Sequence, residues 1–142
     1  RFFDRAAART LAAEVLDRIG VTIDLNERVE NLPVAQKQLV AICRALASNA
    51  QLIIMDEPTT ALTEKEVQRL LGIIRKLKDD GVAVIFVSHK LAEVLEVSEK
   101  VGVLRNGNKV AEGPAAEFDT QSLTFHMTGR CYLFQRHRGD QF

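Results

Sequence analysis

Two adjacent carboxylates, Asp56 and Glu57, end the apolar run of the stretch LIIMDEPTTAL (52–62), and a Ser88-His89 pair ends a second run, VAVIFV (82–87). Successive strand residues point in opposite directions, so two neighbouring carboxylates at a strand end need not compete for one ligand. One can hold a hard cation directly or through water. Mg²⁺ favours oxygen ligands, keeps several waters and usually sits with substrate phosphates. The other can orient or deprotonate an attacking water. A histidine at the next strand's end can donate to a terminal phosphate oxygen and sense its loss. Together these are parts of a phosphoryl-transfer site. The plainer alternative is that Asp56 and Glu57 open a loop, with the aspartate capping the next turn.

Such a site needs elements that bring the two run ends together. Leu52–Asp56 is continuously apolar up to its last residue, which predicts a strand buried on both faces of a parallel sheet. Thr63-Glu64-Lys65-Glu66 reads as a capping box. Val67, Leu70, Leu71, Ile74 and Leu77 then recur at helical spacing up to Asp80-Gly81, where the second strand begins. Strand, capped helix, strand is a right-handed crossover unit, and ligands of such sheets bind beyond the carboxyl ends of the strands. Asp56 and His89 lie at two such ends.

Upstream, Leu11, Ala12, Val15, Leu16 and Ile19 share a helical face that Gly20 ends. Residues 21–32 read as a loop, and Pro33 suits the first turn of a helix that runs to about Ser48. Downstream, a helix carries Leu91, Val94 and Leu95. VGVLRNGNKVAEG (101–113) alternates around Asn106-Gly107, which predicts a hairpin. A last helix is expected over 120–128, followed by a tail.

The 142 residues suffice for one domain, and a 46% hydrophobic content allows a core. The 19 basic and 19 acidic residues cancel, which argues against nucleic acid or an anionic membrane surface as partner. Cys43 and Cys131 fit no metal-ligand spacing and read as free thiols of a reducing cytosol. No apolar run approaches the roughly 20 residues that span a bilayer. The chain opens on Arg1, mid-pattern, which suggests a piece of a longer chain. His126 reads as a surface or partly packed residue, His137 as solvated and the tripeptide at 138–140 as chance. Phe2 and Phe3 suit ordinary packing better than an adenine platform.

The ordered motifs LIIMDEP, TTALT and the strand ending in Ser88-His89 resemble the ATPase subunits of ABC transporters, where they correspond to the Walker B strand, the D-loop and the switch histidine. NLPVAQKQLVAICRALASNAQ (31–51) is similar to that family's signature region and its helix. The resemblance runs from about Asn31 to Arg130 and is nearest to the monosaccharide importers of the ribose, galactose and xylose type. It implies an α/β fold, a partial P-loop NTPase domain of parallel strands with flanking helices plus a C-terminal β-hairpin, with the Walker A half missing. Residues 1–50 would then be part of a helical subdomain carrying the signature, 51–130 the C-terminal part of the ATPase core, and 131–142 a tail or the start of a linker.

The same resemblance implies the roles. Asp56 holds Mg²⁺ through its water shell, Glu57 is the general base or water-orienting carboxylate, and His89 contacts the γ-phosphate. Pro33, Val34, Ala35 and Gln36 belong to the signature segment that closes over ATP held by a second ATPase domain, head to tail. Ala61 and Thr63 belong to the D-loop that touches this second domain. Further implied partners are membrane permease subunits and, indirectly, a periplasmic sugar-binding protein, with the chain on the inner face of a bacterial cell membrane.

Two departures stand out. Pro33 has neither hydroxyl nor N–H, and Ala35 adds a methyl where close backbone approach is useful, so the signature is weakened. The phosphate-binding pattern G-x-x-x-x-G-K-[ST] is absent, since none of the eight glycines is followed by Lys-Ser or Lys-Thr. The expectation is that this chain alone binds ATP·Mg²⁺ weakly and does not turn it over. A strand at 82–87 with a naked edge would also favour self-association. The competing readings are a non-hydrolytic binding or regulatory module derived from such an ATPase, and an ABC ATPase acting on DNA or ribosomes, against which the neutral charge argues.

Overall fold

A computed structural model describes residues 4–129 of the chain, which divides after His89 into two compact units. The tail expected at 131–142, His137, the tripeptide at 138–140, Phe2 and Phe3 lie outside the described residues.

The first unit begins with helix α1 (Arg5–Ile19). Asp4 caps it by accepting from the N–H groups of Ala6 and Ala7, and Gly20 ends it at φ 70°, a left-handed conformation that glycine adopts without cost. Helix α2 (Val34–Ala47) follows a loop that contains a short 3₁₀ turn at Val29–Asn31. Pro33 is the N-cap residue rather than part of the first turn. Its φ of −55° suits helix entry, while its ψ of 154° keeps it extended. Both helices bury one stripe, Val15, Leu16 and Ile19 on α1 and Leu39, Ile42 and Leu46 on α2.

Strand β1 (Leu52–Asp56), helix α3 (Glu64–Asp79) and strand β2 (Ala83–Val87) form the crossover that the sequence predicts. Thr63 donates from N and from Oγ1 to Glu66 Oε2, at 2.9 and 2.8 Å, which fixes the helix start. β1 and β2 pair in parallel, Leu52 with Ala83 through Asp56 with Val87. α3 buries Val67, Leu70, Leu71, Ile73, Ile74 and Leu77, and packs against β2 and α1.

Two-sided burial of the strands is not what the structure shows. Ile53 and Met55 are buried, but Leu52 and Ile54 are 50% and 64% exposed, and Ile85 and Val87 on β2 are exposed beside them. The register puts these four side chains on one face. The apolar runs thus have two faces to bury, while the sheet consists of two strands among the described residues, with one aliphatic face open.

In the second unit, helix α4 (Leu91–Val97) leads into strands β3 (Lys100–Arg105) and β4 (Asn108–Pro114). Asn106 and Gly107 take φ of 51° and 79°, the two left-handed positions of a type I′ hairpin turn. Helix α5 (Thr120–Thr128) is capped by Asp119 and ends at Gly129. Val101, Val103, Ala115 and Leu123 form its core, with Leu91, Val94 and Leu95 packed against them.

Leu71 is fully buried and Ile54 is not. Leu71→Ala is expected to lower stability by about 2–5 kcal/mol and Ile54→Ala by under about 1 kcal/mol, read as shifts in the urea midpoint. The Thr63 hydrogen bonds hold the exposed Glu66 carboxyl below its ordinary value of 4.5. A lowered folded pKa stabilises above the unfolded value and is lost as pH falls through the folded one. Glu66→Gln should therefore flatten the loss of stability on acidification below about pH 4.5, read from urea midpoints at successive pH values.

Candidate functional site

The register of β1 and β2 determines which groups meet. Asp56 is the last paired residue of β1, and Glu57 is the first beyond it. The Glu57 N–H still reaches across to the Val87 carbonyl, at 2.8 Å. Its φ of 47° is left-handed, which costs a non-glycine residue on the order of 1 kcal/mol and turns the chain sharply out of the strand. Pro58 and Thr59 follow, both buried, with Thr59 fully so. The turn is closed by Thr60, whose Oγ1 donates to the Glu57 carbonyl at 3.2 Å, and by the Leu62 N–H, which donates to the Thr59 carbonyl at 3.2 Å.

This turn carries the Glu57 carboxylate to the end of β2. The His89 main-chain N–H donates to Glu57 Oε1 at 3.1 Å. The His89 imidazole stands with Nδ1 2.9 Å from Oε2, but without the alignment of a hydrogen bond. The His89 side chain is 65% exposed and that of Glu57 37% exposed. A charge-assisted bond from a main-chain N–H contributes about 1.5–3 kcal/mol, whereas an exposed ion pair contributes about 0.2–1 kcal/mol. The main chain is therefore the stronger hold on this carboxylate. Oε2 has almost no solvent contact and accepts no hydrogen bond among the described residues.

Asp56 alternates with Met55 and so shares the open face of β1 with Leu52 and Ile54. Its carboxylate is exposed. Among the described residues no group of three or more His, Cys, Asp or Glu could hold a metal ion by itself. One carboxylate with an open outlook suits a cation that arrives with phosphate ligands, since Mg²⁺ is commonly bound by one or two carboxylates plus a substrate's phosphates.

The other sequence-predicted residues fall elsewhere in the first unit. Pro33, Val34, Ala35 and Gln36 form the entry of α2, where Pro33 makes no side-chain cap bond and Val34 is exposed. Ala61 is exposed, and Thr63 serves as the cap of α3. Sequence reasoning missed three contributors: the left-handed turn at Glu57, the Val87 carbonyl and the His89 main-chain N–H. No residue type signals them, because glutamate is not a turn former and backbone groups are blind to sequence. In the second unit, His126 is an element of packing. Its ring meets Phe118 and Phe125 edge-on at 6.1 and 5.6 Å, and its carbonyl accepts from Arg105.

A carboxylate held at the end of a parallel pair, with a histidine on the neighbouring strand's end and this crossover between them, is similar to the arrangement in ABC-type ATPase domains. The ABC transporter family profile matches residues 3–60, including the N-terminal segment whose motifs are least specific. A dimeric ATP-binding cassette in a post-hydrolysis state with ADP and Pi is 29% identical, with a TM-score of 0.67 over 81% of this chain and 50% of that one. A cassette in its ADP conformation is 26% identical, with a TM-score of 0.73 over 87% and 49%.

Among curated proteins the similarity falls on ribose import ATP-binding proteins. The one from Rubrobacter xylanophilus is 46% identical over 89% of this chain, and the one from Chelativorans sp. is 42% identical over 92%. The chain spans about a quarter of the length of these relatives.

A cleft of about 270 Å³ lies between α1, α2 and the loop that joins them, apart from the carboxylate turn, and Cys43 lines it. Burial pushes the Cys43 thiol above its ordinary pKa. Cys43 should therefore alkylate with iodoacetamide more slowly in the folded chain than in urea, as followed by peptide mass spectrometry.

Proposed function

We propose that the chain supplies the Walker B, switch and signature portion of an ATP-hydrolysing domain that energises sugar import by an ABC transporter. The observation that carries this reading is the meeting of Glu57 with His89 at the ends of the parallel pair. Similarity to the ribose import ATP-binding proteins supports the substrate class. Within this reading, residues 1–50 belong to the helical part with the signature, 51–130 to the ATPase core and 131–142 to a tail or linker.

Asp56 would hold Mg²⁺ through its water shell. When bound with ATP, that ion would neutralise charge on the phosphoryl oxygens. Glu57 accepts a hydrogen bond from the attacking water and aligns it, with a carboxylate that its neighbours have already oriented. His89 donates to the γ-phosphate. Pro33, Val34, Ala35 and Gln36 face ATP held by a second ATPase domain, for which the main-chain amides at the start of α2 supply donors and a positive dipole end. Ala61 and Thr63 lie on the loop that meets that domain. Permease subunits, a periplasmic sugar-binding protein beyond them and a place on the inner face of the bacterial membrane complete the assembly. No helix among the described residues is long and apolar enough to cross a membrane.

The chain's own sequence carries no phosphate-cradling loop. Backbone amides around the β-phosphate supply much of the affinity for a nucleotide. The isolated chain is accordingly read as inactive and weakly binding, and its open sheet favours self-association. A non-hydrolytic docking module is the second reading, favoured by Pro33, which offers no hydroxyl at the α2 entry.

In a full-length ATPase carrying this segment, Glu57→Gln is expected to retain ATP binding and abolish turnover, measured by nucleotide binding and phosphate release side by side. Normal hydrolysis by that variant would overturn the role of Glu57. Calorimetry on the 142-residue chain should detect no tight ATP·Mg²⁺ binding, and micromolar affinity would overturn the reading of inactivity.

A further inference from the structure

The two oxygens of Glu57 have different surroundings. Oε1 accepts from the His89 main-chain N–H, and the residue's own N–H is tied to the Val87 carbonyl. Both holds belong to the backbone at the end of β2 and do not involve the imidazole. Oε2 is buried without a hydrogen-bond donor among the described residues, and the His89 ring stands 2.9 Å away, misaligned. A carboxylate oxygen in that state cannot meet water. Yet the ring beside it is itself largely exposed, on a side chain with room to turn.

We propose that the His89 imidazole is a removable cover over Glu57 Oε2, while the main chain of Val87 and His89 holds the carboxylate in place. The inference rests on the reading of Glu57 as the water-orienting carboxylate and adds a condition to it. With the ring over it, Oε2 is aimed but closed. When the ring swings out to a phosphoryl oxygen of a bound nucleoside triphosphate, Oε2 opens to water while Oε1 and the backbone stay where they are. The same movement that registers the terminal phosphate thus admits the water that attacks it. Phosphate-free protein keeps that one oxygen covered. His89 acts as a positioning residue here in a negative sense, by withholding one oxygen rather than by orienting it.

Two measurements on the 142-residue chain test this, and neither depends on ATP turnover. The first is carbodiimide labelling with glycine ethyl ester, read at Glu57 by peptide fragmentation, with exposed Asp56 as the internal control. Labelling of Glu57 should rise several-fold in His89→Ala over the unchanged chain, with Asp56 unaltered. Equal Glu57 rates would overturn the cover. The second is the main-chain amide proton of residue 89 by NMR. Its shift should persist in His89→Ala and collapse in Glu57→Ala. Collapse in both would overturn the backbone hold. His89→Ser serves as a second small variant should His89→Ala lose its fold, and the same pair of outcomes applies. Turnover by Glu57→Gln in a full-length ATPase carrying this segment tests the catalytic reading separately, so a failure of the cover and a failure of the base are told apart.

Discussion

The parallel register that sets Asp56 opposite Val87 governs the carboxylate site down to single atoms. It makes Glu57 the first residue past the ladder, with its N–H still within reach of the Val87 carbonyl. It also puts His89 two residues beyond the same carbonyl, where its main chain meets the carboxylate. Side chains alternate with a period of two, so a slip of one residue would exchange Ile53 and Met55 for Leu52 and Ile54 on the buried face. Burial of one apolar face therefore protects the alignment of the polar ends.

Electrostatics explains the rest of the arrangement. Asp56 and Glu57 are adjacent like charges, and the left-handed turn at Glu57 separates them by sending one carboxylate to β2 and leaving the other on the open face. The His89 main-chain donor then holds the turned carboxylate, and the Glu57 N–H is tied to the Val87 carbonyl, which favours a conformation that otherwise disfavours glutamate. The buried Pro58 and Thr59 anchor the turn on its far side.

Much of this was legible in the sequence because it rests on side-chain types. The capping box at Thr63, the glycine stop at Gly20, the hairpin at Asn106-Gly107 and the apolar stripe of α3 each follow from local chemistry and stand where the pattern puts them. The sequence put Asp56 and His89 at one shared sheet edge, whereas the contact the structure makes there is between Glu57 and His89. The bonds that secure it are main-chain bonds, and no residue pattern encodes them. The strand runs misled in one respect. A continuous apolar segment states what a strand can bury on two sides, not what lies against it, and the Leu52, Ile54, Ile85 and Val87 face is open.

The crossover also bears on the order of assembly. Glu57 and His89 are 32 residues apart in sequence, and α3, a capped helix with strong local contacts, fills most of the interval. Only one strand has to return past one helix before the carboxylate reaches its backbone donor, a small closure for a parallel pair. The contact between Glu57 and His89 thus lies wholly within the β1–α3–β2 unit.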